Sequence, residues 1–159
     1  MDYFYYWPDY QQDTKNQTEL HYKLHRDTDN LLAIREGDII WCGISLETPR
    51  ASKRVALGAK IIAKKSGSND RTHPDWKYGP HYFVAERVGT EFYEVDTQVD
   101  FEDLLRRLSF PVRADHVGGS LQGKNGFRQL TEADAKAFRE FAARLASHPV
   151  IVAKGKGIR

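Results

Sequence analysis

The sequence predicts an α+β fold, a small mixed β-sheet or barrel with flanking helices. Three observations carry this expectation. Five short runs with strand patterning lie in the first 95 residues, two helical apolar stripes follow residue 100, and no internal repeat appears. The 159 residues are enough for one domain, expected over 1–153, with a flexible basic tail at 154–159. With 40% hydrophobic and 29% charged residues the composition is that of a soluble globular chain.

Aromatics dominate the start: six of the first ten residues are Tyr3, Phe4, Tyr5, Tyr6, Trp7 and Tyr10. Tyr3–Trp7 reads as a strand, because aromatics suit a half-buried pleated surface, and Pro8 ends it. Alternation puts Tyr3, Tyr5 and Trp7 on one face and Phe4 and Tyr6 on the other. Residues 9–30 are polar and read as a loop with room for a short helix. Leu31–Ile34 reads as a helical turn. The Arg35-Glu36-Gly37-Asp38 turn then leads to a strong strand, Asp38–Ser45. After a loop around Pro49–Lys53, Val55–Lys64 alternates with period two and predicts a half-buried strand.

The stretch from 65 to 80 carries Gly, Ser, Asn, Asp and two prolines and reads as a long loop. Trp76 and Tyr78 inside it favour order and function. His81–Val88 and Glu91–Val95 flank Gly89-Thr90 and read as a hairpin. Asp100 is placed to cap a helix from Phe101 to Leu108, which Pro111 stops. A glycine-rich loop spans Gly118–Gly126. Thr131 and Asp134 then approximate a capping box for a helix over Glu132–Ala146. Val150–Ala153 reads as an edge strand.

Many chemistries are excluded. No run of apolar residues approaches the roughly 20 that a membrane helix needs. The N-terminal residues are acidic and aromatic, so no secretory leader is expected. Cys42, the one cysteine, excludes an internal disulfide and points to a reducing, cytoplasmic setting. There is no dinucleotide fingerprint, P-loop, zincin motif or nucleophile elbow. Of six histidines only His21 and His25 have helical i, i+4 spacing, in a segment with little helical signal. Cys42 sits among apolar strand residues and reads as a small buried hydrophobe. No enzyme, cofactor or metal is expected.

What remains is a binding pattern. The net charge of +2 conceals a basic stretch, Arg50–Lys77, with eight basic residues and two acidic ones. Glu86–Asp103 reverses this, with seven acidic residues and only Arg87. A basic face is the footprint of a polyanionic partner, although a merely solvated surface gives the same count. Trp7 and Trp41 lie in strands, and Trp76 with Tyr78 lies in the long loop. Flat aromatic faces suit base stacking or cation contact; the competing reading is that they fill the core.

These residues resemble a family. The opening Tyr-Phe-Tyr-Tyr-Trp-Pro-Asp is similar to the first strand of EVE-type domains, which belong to the PUA-like superfamily with YTH and ASCH domains. The Ile34–Trp41 segment resembles their helix and Gly-Asp strand. Val55–Ile61 resembles the second glycine-containing barrel strand, and Trp76 precedes a hairpin as in that group. Gly119–Thr131 resembles the polar stretch before the last helix in modules of modification-dependent restriction systems. The usual second strand ends in an aromatic-His-Ser sequence, where this chain has Trp41-Cys42-Gly43-Ile44-Ser45.

The resemblance implies a PUA-like pseudo-barrel. It also implies a non-catalytic reader that flips a modified base, 5-methylcytosine or 5-hydroxymethylcytosine in DNA, into an aromatic pocket. Such a reader would serve a nuclease. The expected pocket is Trp7, Asp9, Trp41, Ile44, Ser45, Trp76 and Tyr78. Backbone contacts or insertion fall to Arg50, Lys53, Arg54, Lys65, Arg71, Lys77, Gln122, Lys124, Asn125 and Arg128. The alternatives are a YTH-like reader of modified RNA and a small-molecule binder using the same cleft.

Overall fold

Five successive side chains of the first strand, Tyr3 to Trp7, are buried, although a strand sends alternate side chains to opposite faces. That strand must therefore lie between two cores. In the computed structural model β1 (Asp2–Trp7) pairs in parallel with β3 (Ile39–Leu46) and antiparallel with β6 (Phe127–Gln129). The structure describes residues 1–8, 10, 23–26, 29–46, 54–98, 100–109, 117–121, 126–148, 152–153 and 156–157.

With β2 (Lys23–Arg26), β4 (Arg54–Ser68) and β5 (His81–Tyr93), the sheet runs β2-β5-β4-β3-β1-β6. The short β7 (Ser147–His148) adds to the end of β5. The sheet is strongly curled. Tyr5 of β1 meets Phe83 of β5 edge to face at 5.6 Å between ring centroids. Those strands are three positions apart, roughly 14 Å across a flat sheet. The curl wraps Tyr3, Tyr5 and Trp7 together with Ile40, Ile44 and Phe83 into an inner core. A 3₁₀ turn, Asp29–Ala33, contacts β4, β5 and β6, and Leu31 is buried in that inner core. The sheet is mixed as expected, but among the described residues it does not close into a barrel, because β2 and β6 remain its edges.

The outer face carries a second core. Phe4, Tyr6 and Trp41 pack with α1 (Phe101–Arg107) and α2 (Glu132–Ala142), through Phe101, Phe138 and Phe141. Thr131 caps α2 by accepting the Asp134 N–H at 3.1 Å. The Asp134 carboxylate does not complete a box; it accepts the Ser109 hydroxyl just beyond α1. Asp100 occupies the N-cap of α1 but its carboxylate makes no capping bond, and it lies 3.8 Å from Arg144 instead.

Glycine is required at specific points. The turn before β3 uses Gly37 at φ +89, and the Asp38 carboxylate accepts the Arg35 N–H at 2.8 Å. Gly43 admits the ring of Phe4: a Cβ there would lie 2.6 Å from its Cζ.

The structure departs from the sequence reading in several places, β2 within the expected 9–30 loop among them. β4 continues four residues past Lys64, because β5 offers partners as far as Ser68. The hairpin expected at Gly89-Thr90 is one continuous strand. Ile62 pairs with Glu86 and Lys60 with Glu91, so residues 87–90 leave the ladder as a wide bulge and both halves stay on β4. Thr90 Oγ1 accepts the stranded Ile62 N–H at 3.0 Å and donates to the Glu86 carbonyl. Helix α2 ends at Ala142 rather than Ala146, because Glu94 N–H bonds the Ala146 carbonyl at 3.0 Å and pulls the chain onto the β5 edge. In the tail, Val152–Ala153 pairs with Lys156–Gly157 as a separate two-stranded ribbon.

Gly43→Ala is expected to lose about 1–3 kcal/mol of stability by overpacking. Denaturant unfolding of the single variants and of the pair with Phe4→Leu checks this. Coupling above about 0.5 kcal/mol is expected, whereas additive losses would show that Phe4 is not the obstruction.

Candidate nucleic-acid interface

Beyond Ile62 the β4 strand has no β3 partner, yet β4 and β5 continue together to Ser68 and His81. β2 pairs with the same end of β5, from Lys23–Val84 to Arg26–His81. The three strands form an arm that outruns the rest of the sheet. Its tip is the 69–80 segment, which contains a 3₁₀ turn, Pro74–Tyr78.

The tip is tied down by its own backbone. Asn69 N–H bonds the Pro80 carbonyl at 2.8 Å and closes the neck. The Asp70 carboxylate accepts the Thr72 amide at 2.9 Å and the Thr72 hydroxyl at 2.5 Å, an Asx-type turn. Those bonds, the hydroxyl foremost, hold the Asp70 carboxyl below its ordinary pKa. His73 N–H bonds the Asp70 carbonyl at 3.1 Å, and Trp76 N–H bonds the His73 carbonyl at 3.0 Å. Gly79, at φ +133, ends the turn.

This scaffold presents Trp76 with 37% of its surface exposed. The Arg71 guanidinium lies 6.0 Å from the ring centroid, within cation–π reach. Lys64, Lys65 and Lys77 are exposed on the same arm. An exposed indole beside a guanidinium, on an arm that also carries exposed ammonium groups, can stack a flat ring and attract phosphates.

Of the other expected pocket walls, Trp7, Trp41, Ile44 and Ser45 do not join it. Trp7 is 3% exposed in the inner core and meets Tyr10 edge to face at 5.1 Å. Trp41 is 1% exposed in the outer core, stacked on Phe138 at 5.9 Å, and its Nε1 donates to Asp2 Oδ2 at 2.9 Å. The two rings therefore lie on opposite faces of the sheet. Ile44 is the register partner of Trp7 and is buried in the inner core. Ser45 is buried, paired in register with Val55 of the outer core, and its Oγ has no partner among the described residues. Trp76 is remote from Trp7 along the sheet. Trp7 pairs with Ile44, and Ile44 with Ala56 of β4; the arm tip begins after Ser68, twelve residues on, roughly 40 Å of strand. Tyr78 lies in the 3₁₀ turn, and Asp9 falls outside the described residues.

The basic set divides in the same way. Lys65, Arg71 and Lys77 are on the arm. Arg54 is spent internally: its guanidinium donates to the Gln98 carbonyl and, at 3.1 Å, to the Val95 carbonyl. Arg128 is half-buried on β6, in register with Phe4. Arg50, Lys53, Gln122, Lys124 and Asn125 fall outside the described residues.

Among the described residues no cluster of three His, Cys, Asp or Glu side chains forms a metal site. His25 lies in strand β2, so the i, i+4 helical spacing with His21 is not realised at that end. Cys42 is fully buried, and burial pushes its thiol well above the ordinary range, away from the reactive thiolate. No helix of the described residues is long and apolar enough to cross a membrane. The closure of the arm tip escaped the sequence reading, although Asn69-Asp70-Arg71-Thr72 carries the signal of an Asx turn.

No protein-family model matches the chain, and no curated protein matches it.

Arg54→Ala is expected to cost about 1.5–3 kcal/mol of stability, the range for hydrogen bonds to a charged group. It should leave the salt dependence of any nucleic-acid binding unchanged. Thermal unfolding and a salt titration of the same variant check both halves.

Proposed function

We propose that the protein is a non-catalytic nucleic-acid reader that stacks a base on Trp76, with Lys65, Arg71 and Lys77 holding the adjoining phosphates. The observation that carries this reading is the exposed Trp76 ring beside Arg71 on a basic, internally braced arm. Trp76 is the one tryptophan of the three left substantially exposed.

The preferred target is a modified cytosine in DNA, 5-methylcytosine or 5-hydroxymethylcytosine. The preference is physically modest on an open platform. Burying one methyl group is worth about 0.8 kcal/mol, roughly fourfold in affinity. The PUA-like reading of the fold belongs to the same proposal, supported by the curled mixed sheet and by the sequence resemblance. In that role the protein would act in the cytoplasm as the recognition module for a nuclease.

Binding of the full chain to matched single-stranded and duplex oligonucleotides, with and without modified cytosine and with RNA counterparts, tests the proposal at fixed salt. Trp76→Ala is expected to weaken binding by about 1–3 kcal/mol, the worth of one stacked base. Lys65→Ala should reduce the log–log salt slope on single strands by about 0.7. Binding unaffected by Trp76→Ala overturns the interface. Equal binding to modified and unmodified DNA overturns the modified-base preference, and tighter binding to RNA replaces DNA as the target.

A further inference from the structure

The outer face of the sheet is not covered as far as its β5 edge. Helix α2 stops at Ala142, and the chain returns to β5 only at Ser147. Between them lies an open cleft of about 370 Å³, lined among others by Ile39, Trp41, Lys60, Glu91, Tyr93 and Arg139. The strand residues are placed by register. Trp41 pairs with Lys60 and Lys60 with Glu91, a row across β3, β4 and β5. Arg139 reaches in from the last turns of α2.

Two ion pairs border the cleft. Arg139 Nη1 lies 3.6 Å from Asp2 Oδ2, and Lys60 Nζ lies 3.4 Å from Glu91 Oε2. Each carboxylate oxygen has a second, better donor. Trp41 Nε1 donates to Asp2 Oδ2 at 2.9 Å, and the Tyr93 hydroxyl donates to Glu91 Oε2 at 3.1 Å. Burial, and then the Glu91 carboxylate, push the Tyr93 hydroxyl far above its ordinary pKa, so it stays a donor at all working pH.

The arrangement is asymmetric. If either cation turns away, its carboxylate keeps an aromatic N–H or O–H donor and no buried acceptor is orphaned. The cations have donors to spare, five on a guanidinium and three on an ammonium, against one long contact each among the described residues. Ion pairs this exposed are worth only about 0–1 kcal/mol, so exchanging them for a ligand costs little. Asp2 Oδ2 and Glu91 Oε2 each already receive two contacts, whereas an anionic ligand meets two cations with donors to spare beside an apolar wall.

We propose that this cleft binds a small organic anion, a carboxylate or a phosphate monoester on an apolar or aromatic body, with Arg139 and Lys60 as its anchors. The site is separate from Trp76 and does not depend on the nucleic-acid reading.

Titration of the full-length, isotope-labelled chain with benzoate and with phenyl phosphate, followed by amide NMR shifts, tests it. Benzylamine and benzyl alcohol serve as cationic and neutral controls. Either anion is expected to give saturable shifts around residues 60, 91, 93 and 139, and the tighter of the two identifies the preferred headgroup. Arg139→Gln and Lys60→Gln should each weaken binding by at least roughly tenfold, the loss of one charge-assisted hydrogen bond. Trp76→Ala should leave it unchanged. If Arg139→Gln unfolds the protein, Lys60→Gln and the wild-type titrations decide the matter. No saturation by either anion up to about 10 mM, the range of the weakest specific binding, overturns the proposal. Equal binding of benzylamine, or binding indifferent to Lys60→Gln, overturns it as well.

Discussion

Burial of β1 on both faces is the constraint on which the rest of the architecture depends. A strand that buries Tyr3, Tyr5 and Trp7 one way and Phe4 and Tyr6 the other needs a covering layer on each side and a partner along each edge. The edges are met by β3 in parallel and β6 antiparallel. A parallel neighbour forces a crossover rather than a tight turn, so the chain between them has to travel before β3 begins. The two covers differ. On one side the sheet curls until Tyr5 reaches Phe83, and the 3₁₀ turn at Leu31 fills the remaining space. On the other, Phe101 and Phe138 bring α1 and α2 down onto Phe4 and Trp41.

The curl leaves the first residues of β4 without a strand on their second side, since β5 pairs with β4 only from Ala59 onward. Side chains take over the ladder. The Gln98 amide accepts the Leu57 N–H at 2.9 Å and donates to the Leu57 carbonyl at 2.6 Å, as a paired residue would. Glu102 accepts the Val55 N–H at 2.9 Å. Gln98 is itself buried, so removing its amide would orphan both Leu57 groups in the interior. The acidic stretch after β5, which by composition looks like a solvated face, thus closes the sheet at this edge. Arg54 completes the same closure from the β4 side, a structural use for a residue that charge counting assigns to phosphate.

Much of the fold was legible in the sequence because its signals were local. An unbroken aromatic run marked β1, Gly37-Asp38 marked the start of β3, and Thr131 marked the start of α2. β2 was not legible: Lys-Leu-His-Arg has little strand character and becomes one only because β5 presents an open edge. The hairpin reading failed for a related reason. Gly89-Thr90 is a sound turn signal, but β4 is long enough to pair with both flanking segments. The tryptophan pocket depended on something sequence does not encode locally, the register between strands. Asp2 pairs with Ile39, an odd offset of 37. Same-face residues of β1 and β3 therefore have opposite parity, which places odd-numbered Trp7 and odd-numbered Trp41 on opposite faces. A slip of one residue would have put them together.

Once both strand tryptophans are consumed by packing, the chemistry left at the surface lies where one element outruns its cover. β4 and β5 extend past β3, and the arm so formed carries Trp76 and Arg71. The sheet extends past the end of α2, and the uncovered strip holds Lys60 and Glu91 beside Arg139. The polar groups at these places are outside the core: Trp76 belongs to neither buried cluster, and the Lys60–Glu91 pair lies outside both, although the cleft floor is the outer-core Trp41 and Tyr93. A large aromatic ring kept in contact with water forgoes the burial that its fellows obtain, roughly 25 cal/mol for each Å² left exposed. The braced 3₁₀ turn fixes that ring at the surface rather than letting it fold back onto apolar cover. A turn already tied by its own hydrogen bonds adds nothing to the core, but under the proposed stacking role it would lower the ordering cost that an untied platform would face.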